Sequence, residues 1–236
     1  MQEIELKEIK KDYRSNEAYK SLRTNIEFSG EDNKVLVFTS CTPNEGKSTV
    51  TIALAHALAE AGKKVLFIDA DLRKSVLAGR HKVHGQLKGL SHFLSGQTEL
   101  GEVMYRVKDT NMVMIFAGVV PPNPAELLGG KRFESLLTSA RKAYDYVIID
   151  APPLGSVIDA AIIAKQSDAS VFVISANTVS HKFAKVVKEQ LEKSGCPILG
   201  VVLNKVDMGQ NKYYGKYYGT YGDYGHEKEG KAEEEA

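Results

Sequence analysis

Residues 35–62 read VLVFTSCTPNEGKSTVTIALAHALAEAG, and this stretch decides the fold. It begins with an apolar run that predicts a buried strand and ends with a long helical pattern that stops at Gly62. The turn between them, residues 41–48, ends in Gly-Lys-Ser where the helix starts. Backbone N–H groups and the helix dipole both favour phosphate at such a place. The stretch therefore predicts a P-loop that binds a nucleoside triphosphate.

Two side chains of this turn carry its predicted chemistry. Lys47 is placed to reach the β- and γ-phosphates, and Ser48 offers a hydroxyl oxygen to Mg²⁺. The usual pattern has a glycine where this chain has Cys41. The alternative is a chance Gly-Lys-Ser in a surface loop, and the flanking strand and helix weigh against it.

Length and composition indicate an ordinary soluble domain. The chain has 236 residues, of which 43% are hydrophobic and 26% are charged. A net charge of +1 gives no strong attraction to nucleic acid or anionic lipid. No apolar run reaches the roughly 18–20 residues of a membrane span, and the acidic start lacks a signal peptide's apolar core. Two cysteines form no disulfide framework, so we expect a protein of the reducing cytoplasm. The histidines are scattered and do not have the spacing of a metal site.

Strand-like and helical patterns alternate along the chain. The strand-like runs are at 35–39, 65–70, 112–117, 146–150, 170–175 and 198–203. The helical patterns are at 16–28, 48–61, 124–142, 157–166 and 180–194. Such alternation predicts an α/β fold of the P-loop NTPase kind, with a mostly parallel β-sheet and helices on both faces.

Two of the apolar runs end in carboxylates: VLFIDADLR at 65–73 and VIIDAPP at 147–153. The carboxyl ends of parallel strands face the ligand crevice, so Asp69, Asp71 and Asp150 are expected near the phosphates. Carboxylates there hold Mg²⁺ or accept a proton from a nucleophile, and Arg73 is placed to steady phosphate charge. The alternatives are a solvated turn for the first motif and a helix N-cap for the second.

The C-terminal end has an unusual composition. From residue 209 onward there is no Leu, Ile, Val or Phe, which predicts a disordered tail. Residues 213–224 nevertheless hold six of the chain's 11 tyrosines, interrupted by glycines. Such a run is suited to enter an extended groove as a substrate. The alternatives are an inert tail, or a stacking segment for single-stranded nucleic acid, which the scarcity of cations weighs against.

The three motifs, in this order and in these strand contexts, resemble those of the bacterial tyrosine kinases. Residues 41–48 look like the Walker A motif of that family, residues 65–73 like its Walker A-prime motif, and residues 147–153 like its Walker B motif. Further resemblances lie at residues 17–26, at residues 118–128 and in the tyrosine-rich end, so essentially the whole chain is covered. The similarity is to the free-standing cytoplasmic subunit of Gram-positive bacteria.

The resemblance implies an ATP-dependent protein-tyrosine kinase that autophosphorylates its tyrosine cluster in trans between subunits and regulates capsular or exopolysaccharide synthesis. It implies an oligomerisation segment and helix at 1–28, a P-loop kinase domain at 29–208 and the disordered tail at 209–236. It assigns the role of base to Asp69, since a tyrosine hydroxyl with a pKa of about 10 benefits from one nearby.

The resemblance also implies a set of cofactors and partners. The cofactors are ATP and Mg²⁺. The partners are a transmembrane adaptor or activator of the polysaccharide co-polymerase type, further copies of the chain in a ring, other protein substrates and a counteracting tyrosine phosphatase, but no nucleic acid. The expected location is cytoplasmic, peripheral at the inner face of the membrane through the adaptor.

The predicted site residues fall into five groups. The catalytic residues are Lys47, Asp69, Asp71 and Asp150. The nucleotide-binding residues are Pro43, Asn44, Glu45, Gly46, Lys47, Ser48, Thr49, Arg73 and Asn204. The metal-binding residues are Ser48, Asp71 and Asp150. The phosphorylated residues are Tyr213, Tyr214, Tyr217, Tyr218, Tyr221 and Tyr224, and the oligomerisation residues are Glu17, Lys20 and Arg23.

Three of these positions need comment. Lys20 stands where the family's helix motif has arginine, and it loses the bidentate fork of that residue. His92 stands in a Gly-Leu-Ser-His segment where members of the family often have aspartate. Asn204 lies where the family commonly has an asparagine near the base, and a strand-end turn is the alternative.

Two other functions stay open. A partitioning or positioning ATPase of the ParA/MinD type has nearly the same fold, but such proteins usually carry a lysine where this chain has residues 40–42, Ser-Cys-Thr, and seldom end in a tyrosine cluster. The second is a non-enzymatic scaffold with a degenerate nucleotide site. The intact lysine, serine and aspartates of the three motifs weigh against it.

Overall fold

A mixed sheet of eight strands is the framework of the protein. The computed structural model describes residues 1–6, 13–81 and 87–207, and within them the strands are β1 (Gln2–Ile4), β2 (Val35–Ser40), β3 (Val65–Asp69), β4 (Tyr105–Val107), β5 (Met112–Ile115), β6 (Tyr146–Asp150), β7 (Ala169–Ser175) and β8 (Ile198–Asn204). Their order across the sheet is β1-β4-β5-β3-β6-β2-β7-β8. All neighbouring strands are parallel except β4 and β5, which confirms the mostly parallel sheet.

The helices connect these strands. They are α1 (Tyr13–Phe28), α2 (Lys47–Glu60), α3 (Leu77–Arg80), α4 (Leu90–Leu94), α5 (Pro124–Leu128), α6 (Lys131–Ala143), α7 (Asp159–Ala164) and α8 (His181–Glu192), with a 3₁₀ turn at Leu100–Glu102. The single helix predicted over 124–142 is two helices, α5 and α6. Gly129 and Gly130 separate them, and glycine costs a helix interior about 1 kcal/mol relative to alanine.

Side chains of the central strands alternate between two apolar cores. On β2, Val35 and Val37 join the core that includes α6, α7 and α8, whereas Leu36 and Phe38 join the core that includes residues of α1 and α2. All four side chains are buried. A sheet that is covered on both faces needs apolar residues at every position, and this arrangement confirms the predicted helices on both faces.

The compact unit spans Met1–Asn204, and a second unit begins at Lys205. Only residues 205–207 of the second unit are described, so the segment predicted to be a disordered tail and the tyrosines predicted to be phosphorylated lie outside the described residues. The predicted boundaries after residues 28 and 208 stay predictions. No helix of the described ranges combines the length and the apolar character needed to cross a membrane.

His92 has a structural task in α4. Its Nδ1 atom accepts a hydrogen bond of 3.0 Å from the backbone N–H of Gly89, the residue that precedes the helix. An aspartate carboxylate would accept the same bond, so the histidine preserves the cap that this position supplies. The turn is tightly packed, because a Cβ atom on Gly89 would lie 2.4 Å from the backbone nitrogen of Gly118.

A close backbone contact joins the P-loop to the loop after β6. Cys41, where the P-loop pattern has glycine, is fully buried in the core, and burial raises the pKa of its thiol to about 11. The glycine that permits the approach is Gly155, since a Cβ atom there would lie 2.2 Å from the carbonyl oxygen of Cys41 and 2.9 Å from the ring of Phe183. The two loops therefore meet without room for a side chain.

We predict that Gly155→Ala lowers the free energy of unfolding by about 1–3 kcal/mol, because the added methyl group collides with backbone. Gly200→Ala is the matched control, since a Cβ atom at that position on β8 meets nothing within 4 Å. Urea denaturation of both variants measures the effect. Equal stability of the two variants would contradict the close contact.

Candidate active site

The P-loop has the backbone of an anion site. Asn44 and Gly46 have positive φ angles of 66° and 85°, and α2 begins at the next residue, Lys47. Glycine adopts such an angle without steric cost and asparagine tolerates it better than most residues, which accounts for Gly46 and Asn44 in this turn. Successive N–H groups in such turns form a concave nest, and the helix dipole adds partial positive charge. Pro43 and Asn44 are exposed, while Ser48 and Thr49 are half-buried.

A buried ion pair lies at the base of this loop. The Nζ atom of Lys47 is 2.5 Å from Oδ1 of Asp150, and both side chains are buried. The same Nζ atom lies 3.3 Å from Oγ of Ser48. Thr51, one turn further along α2, donates 2.7 Å to the carbonyl of Lys47 and lies 3.5 Å from Oδ1 of Asp150. The structure thus brings together the lysine, the serine and the Walker B aspartate that the sequence predicted.

Asp69 adds a second carboxylate beside this pair. It is the register partner of Asp150 on the adjacent parallel strand and is 1% exposed. Burial is the main cause that raises the pKa of Asp69 to about 7, followed by the charge of Asp150. The hydroxyl of Ser75 donates to Oδ2 of Asp69 and, together with Lys47, moderates this rise.

Asp71 binds backbone N–H groups of its own loop, and Arg73 binds a carboxylate of α7. Oδ1 of Asp71 accepts backbone N–H bonds of 3.3 Å from Arg73 and 2.9 Å from Lys74, so it shapes its own loop. The Arg73 guanidinium forms a two-pronged contact of 2.7 and 2.9 Å with Asp159, a fully buried residue at the start of α7. This fork ties the loop after β3 to the helix that follows the loop after β6.

Glu45 and Asn204 hold the P-loop from the other side. The buried Glu45 carboxylate accepts backbone N–H bonds of 2.7 Å from Thr42 and 3.3 Å from Ser175 on β7. Its carbonyl oxygen accepts 2.9 Å from the side-chain amide of Asn204 at the end of β8. Two predicted nucleotide-binding residues therefore contact each other, and their contacts fix the loop.

The predicted oligomerisation residues lie on α1, which packs against α2. Glu17 and Lys20 form an exposed ion pair of 2.8 Å. Arg23 differs, because it is half-buried and its Nη1 atom donates 3.2 Å to the carbonyl of Ala57 near the end of α2. Arg23 thus helps to hold α1 against α2, and its positive charge lies near the C-terminal end of α2, where the helix dipole favours a cation.

The oxygen ligands that the sequence predicts suit Mg²⁺, which prefers carboxylate and hydroxyl oxygens and usually keeps several waters and phosphate oxygens as further ligands. No group of three or more His, Cys, Asp or Glu side chains in the described part of the chain is arranged to hold a metal ion.

Three residues of this region were not predicted to act: Thr51, Ser75 and Asp159. Thr51 lies one turn after Lys47, and that spacing alone could have indicated it. Ser75 reaches Asp69 through the turn of an irregular loop, and Asp159 meets Arg73 across 86 positions of the chain. Neither contact follows from a pattern in the sequence.

Comparison with known proteins defines the class. A family model described as an AAA domain matches residues 34–193. The septum site-determining protein MinD of Pyrococcus horikoshii, solved with Mg-ADP, has the same fold with a TM-score of 0.63 at 25% identity, over 76% of this chain and 72% of that one. The fold and the loop geometry thus define a P-loop nucleotide-binding protein.

Proteins with a higher sequence identity to this chain show which family within this class it belongs to. The tyrosine-protein kinase CpsD of Streptococcus agalactiae is 42% identical over 212 residues, which is 90% of each chain. The kinase domain of the Escherichia coli tyrosine kinase ETK superposes with a TM-score of 0.76 at 35% identity, over 82% of this chain and 78% of that domain. The chain belongs to the bacterial tyrosine kinase family, as its motifs indicated.

We predict that Asp69→Asn stabilises the protein in the absence of nucleotide. A buried carboxylate whose pKa is raised by folding lowers the stability as pH rises from its unfolded value, 3.8, towards its folded value, about 7. The thermal midpoint of the variant should therefore exceed that of the parent at pH 8, and the difference should shrink as the pH approaches 4.

The matched control for this measurement is Asp71→Asn, two residues further along the chain in the loop after β3, where the side chain is half-exposed and bound to backbone N–H groups. It should not raise the thermal midpoint. A lower midpoint for Asp69→Asn at pH 8 would show that the Asp69 carboxylate is well compensated in the fold.

Proposed function

We propose that this chain is a protein-tyrosine kinase that transfers the γ-phosphoryl group of ATP to its own C-terminal tyrosines, in trans between subunits, and regulates capsular or exopolysaccharide synthesis. One observation carries the proposal. Lys47, Asp150 and Asp69 lie together below a P-loop, in a chain that is 42% identical to a tyrosine-protein kinase. The lysine serves phosphate binding, and the second carboxylate offers a proton acceptor.

Lys47 supplies the positive charge of the transfer step. Mg²⁺–ATP brings the phosphoryl group, and Ser48, Asp71 and Asp150 would hold the cation. The ammonium of Lys47, paired with Asp150 in this structure, lies at the N-terminus of α2, where phosphate groups bind. From this position it balances charge that develops on the phosphate oxygens.

Asp69 accepts the proton of the acceptor hydroxyl. A tyrosine oxygen forms the new bond to the γ-phosphorus, its proton passes to the carboxylate, and the bond to the β-phosphate oxygen breaks. A base works best with a pKa near the working pH, and burial beside Asp150 raises the pKa of Asp69 to about 7. Ser75 orients this carboxylate through the bond to Oδ2.

The proposed setting follows the family resemblance. A transmembrane adaptor of the polysaccharide co-polymerase type would hold the kinase at the inner face of the membrane, where Glu17, Lys20 and Arg23 join copies in a ring. Other substrates and a tyrosine phosphatase would complete the cycle. The local concentration of neighbouring tails is high in such an assembly, which favours transfer between subunits.

The shared MinD fold keeps a second candidate in view, a switch ATPase. The segment 213–224, with its six tyrosines, and the 42% identity to a tyrosine-protein kinase favour transfer to tyrosine over hydrolysis. Both candidates use the same nucleotide site. Phosphotyrosine on the product is therefore the observation that separates them.

The test of the proposed function is incubation of the pure chain with Mg²⁺–ATP, alone and with the cytoplasmic segment of a co-expressed membrane adaptor, followed by mass spectrometry. We expect phosphotyrosine in the parent. Lys47→Met should lower it by about 10²–10³-fold while the circular dichroism spectrum is retained, since a preorganised charge is removed. Equal labelling of the folded variant would refute the P-loop assignment, and ATP hydrolysis without phosphotyrosine would favour the switch.

We further predict that replacing the six tyrosines of residues 213–224 by phenylalanine removes nearly all autophosphorylation and leaves ATP binding intact. The rings stay, and only the acceptor hydroxyls are lost. Tyr105 is a poor alternative acceptor, because it is buried and its hydroxyl donates 2.9 Å to the carbonyl of Lys88. Persistent phosphotyrosine at Tyr105 or Tyr144 would show that the tail is not the main substrate.

A further inference from the structure

The carboxylate that the proposed function uses as a base lies beneath the surface. Asp69 ends β3, which runs between β5 and β6 in the middle of the sheet, and it is 1% exposed. Its Oδ1 atom accepts the backbone N–H of Asp71 at 3.3 Å, and its Oδ2 atom accepts the hydroxyl of Ser75. Both oxygens already have a partner, so a tyrosine that arrives from solvent does not meet this carboxylate first.

Ser75 connects the buried carboxylate to the surface. It lies in the loop between β3 and α3 and is an exposed residue. Its Oγ atom accepts the backbone N–H of Leu77 at 3.3 Å, while its own hydrogen points to Asp69. A hydroxyl oxygen can accept two hydrogen bonds while it donates one. Within the described part of the chain Leu77 uses one acceptor position, which leaves the other for a hydroxyl from outside.

The other carboxylates of the site lack such a connection. Asp150 is 1% exposed and pairs with Lys47, and the hydroxyl near it belongs to Thr51, which is fully buried and does not meet a substrate. The half-exposed Asp71 uses Oδ1 to accept two backbone N–H groups of its own loop. Within the described residues, Ser75 is thus the exposed hydroxyl that is bonded to a carboxylate of the site.

The loop holds this hydroxyl in place from both sides. Arg73, two residues before Ser75, forms the fork with Asp159. Leu77, two residues after Ser75, is 2% exposed and belongs to the core that includes residues of α1 and α2. A group that must bridge two partners in a reaction needs such fixed supports.

We propose that Ser75 is a catalytic residue that carries the proton of the acceptor tyrosine to Asp69, an inference that rests on the proposed kinase function. The tyrosine hydroxyl donates to Oγ of Ser75, and Ser75 donates to Oδ2 of Asp69. The exposed serine therefore gives a surface substrate access to a buried base.

The transfer step balances with two proton movements. The tyrosine oxygen bonds to the γ-phosphorus of ATP, and the bond from that phosphorus to the oxygen it shares with the β-phosphorus breaks, so ADP leaves. The tyrosine proton passes to Oγ of Ser75 while the proton of Ser75 passes to Oδ2 of Asp69. Ser75 ends as a neutral alcohol, Asp69 is protonated, and phosphotyrosine is formed. Asp69 later returns its proton to water through the same hydroxyl.

The test changes Ser75 in a donor chain whose six tail tyrosines are replaced by phenylalanine, so that its own tail does not compete. Ser75→Ala removes the hydroxyl, and Ser75→Thr keeps it. The matched control is Ser95→Ala, which removes an exposed hydroxyl that donates 2.8 Å to the carbonyl of Ser91. The acceptor is a peptide with the sequence of residues 211–226, and product is located by mass spectrometry.

We expect Ser75→Ala to lower kcat for the peptide about 100-fold, since a positioned proton-transfer group contributes about 10²–10⁴-fold. The KM values for peptide and ATP should be unchanged, and Ser75→Thr and Ser95→Ala should keep the rate of the parent donor. An unchanged kcat in Ser75→Ala, beside a parent that labels tyrosine, would overturn the relay and leave the kinase function standing. Phosphoserine at Ser75 would also overturn it, because the serine would then be the nucleophile. A parent that forms no phosphotyrosine would refute both.

An acceptor that is already ionised separates proton transfer from a purely structural role. In a peptide with tetrafluorotyrosine, the electron-withdrawing fluorine atoms lower the pKa of the phenol, ordinarily about 10, below the pH of an assay at about pH 8. The rate of Ser75→Ala with this peptide should lie within about threefold of the parent rate, since no proton has to be removed. An equal loss with both peptides would contradict the relay.

The number of protons that move distinguishes a relay from a serine that only orients Asp69. Single-turnover rates of the parent donor are measured in mixtures of H₂O and D₂O with the ordinary peptide. A relay moves two protons in one step, so the rate should fall along a curve as the fraction of D₂O rises. A straight line would mean that one proton passes directly to Asp69, and it would overturn the proposal.

Discussion

One buried cation shared between two buried carboxylates is the constraint on which the site depends. Lys47 pairs with Asp150 at 2.5 Å, and Asp69 lies beside Asp150 on the next strand. Burial, followed by the charge of Asp150, raises the pKa of Asp69 to about 7, and the single ammonium of Lys47 offsets this rise only in part. This incomplete compensation of charge is useful chemically. A lysine held for phosphate and a carboxylate ready to take a proton are the two parts that phosphoryl transfer needs.

The surrounding contacts maintain this arrangement by fixing loops rather than by touching the reacting groups. Glu45 joins the P-loop to β7 through backbone N–H groups, and Gly155 lets the loop after β6 press against Cys41. The fork between Arg73 and Asp159 connects the loop after β3, the strand that ends in Asp69, to α7, the helix that follows β6 and its Asp150. Buried polar groups of this kind are costly unless every partner is present, so the loops hold one another in a single geometry.

The sequence was sufficient for the central elements because their patterns are long and local. The apolar run at Val35, the Gly-Lys-Ser turn and the acid-terminated strands place Lys47, Asp69 and Asp150 at one edge, as the parallel sheet requires. It was insufficient for β1 and β4, because each has only three residues, too few for an alternating pattern to be recognised. The break between α5 and α6 could have been predicted, because Gly129 and Gly130 interrupt the helical pattern. The partner of Arg73 depends on packing between distant segments, which no local pattern records.

The most direct measurement of this account is a pH titration of the protein without nucleotide by NMR, with ¹³C at the aspartate carboxyl groups. Asp69→Asn identifies the resonance of Asp69 by its loss. We predict a midpoint near 7 for Asp69, because its carboxylate is buried and lies beside the charge of Asp150. A midpoint near 4, the ordinary value of an aspartate, would contradict the account, since Asp69 would then be fully compensated and no more basic than a surface carboxylate.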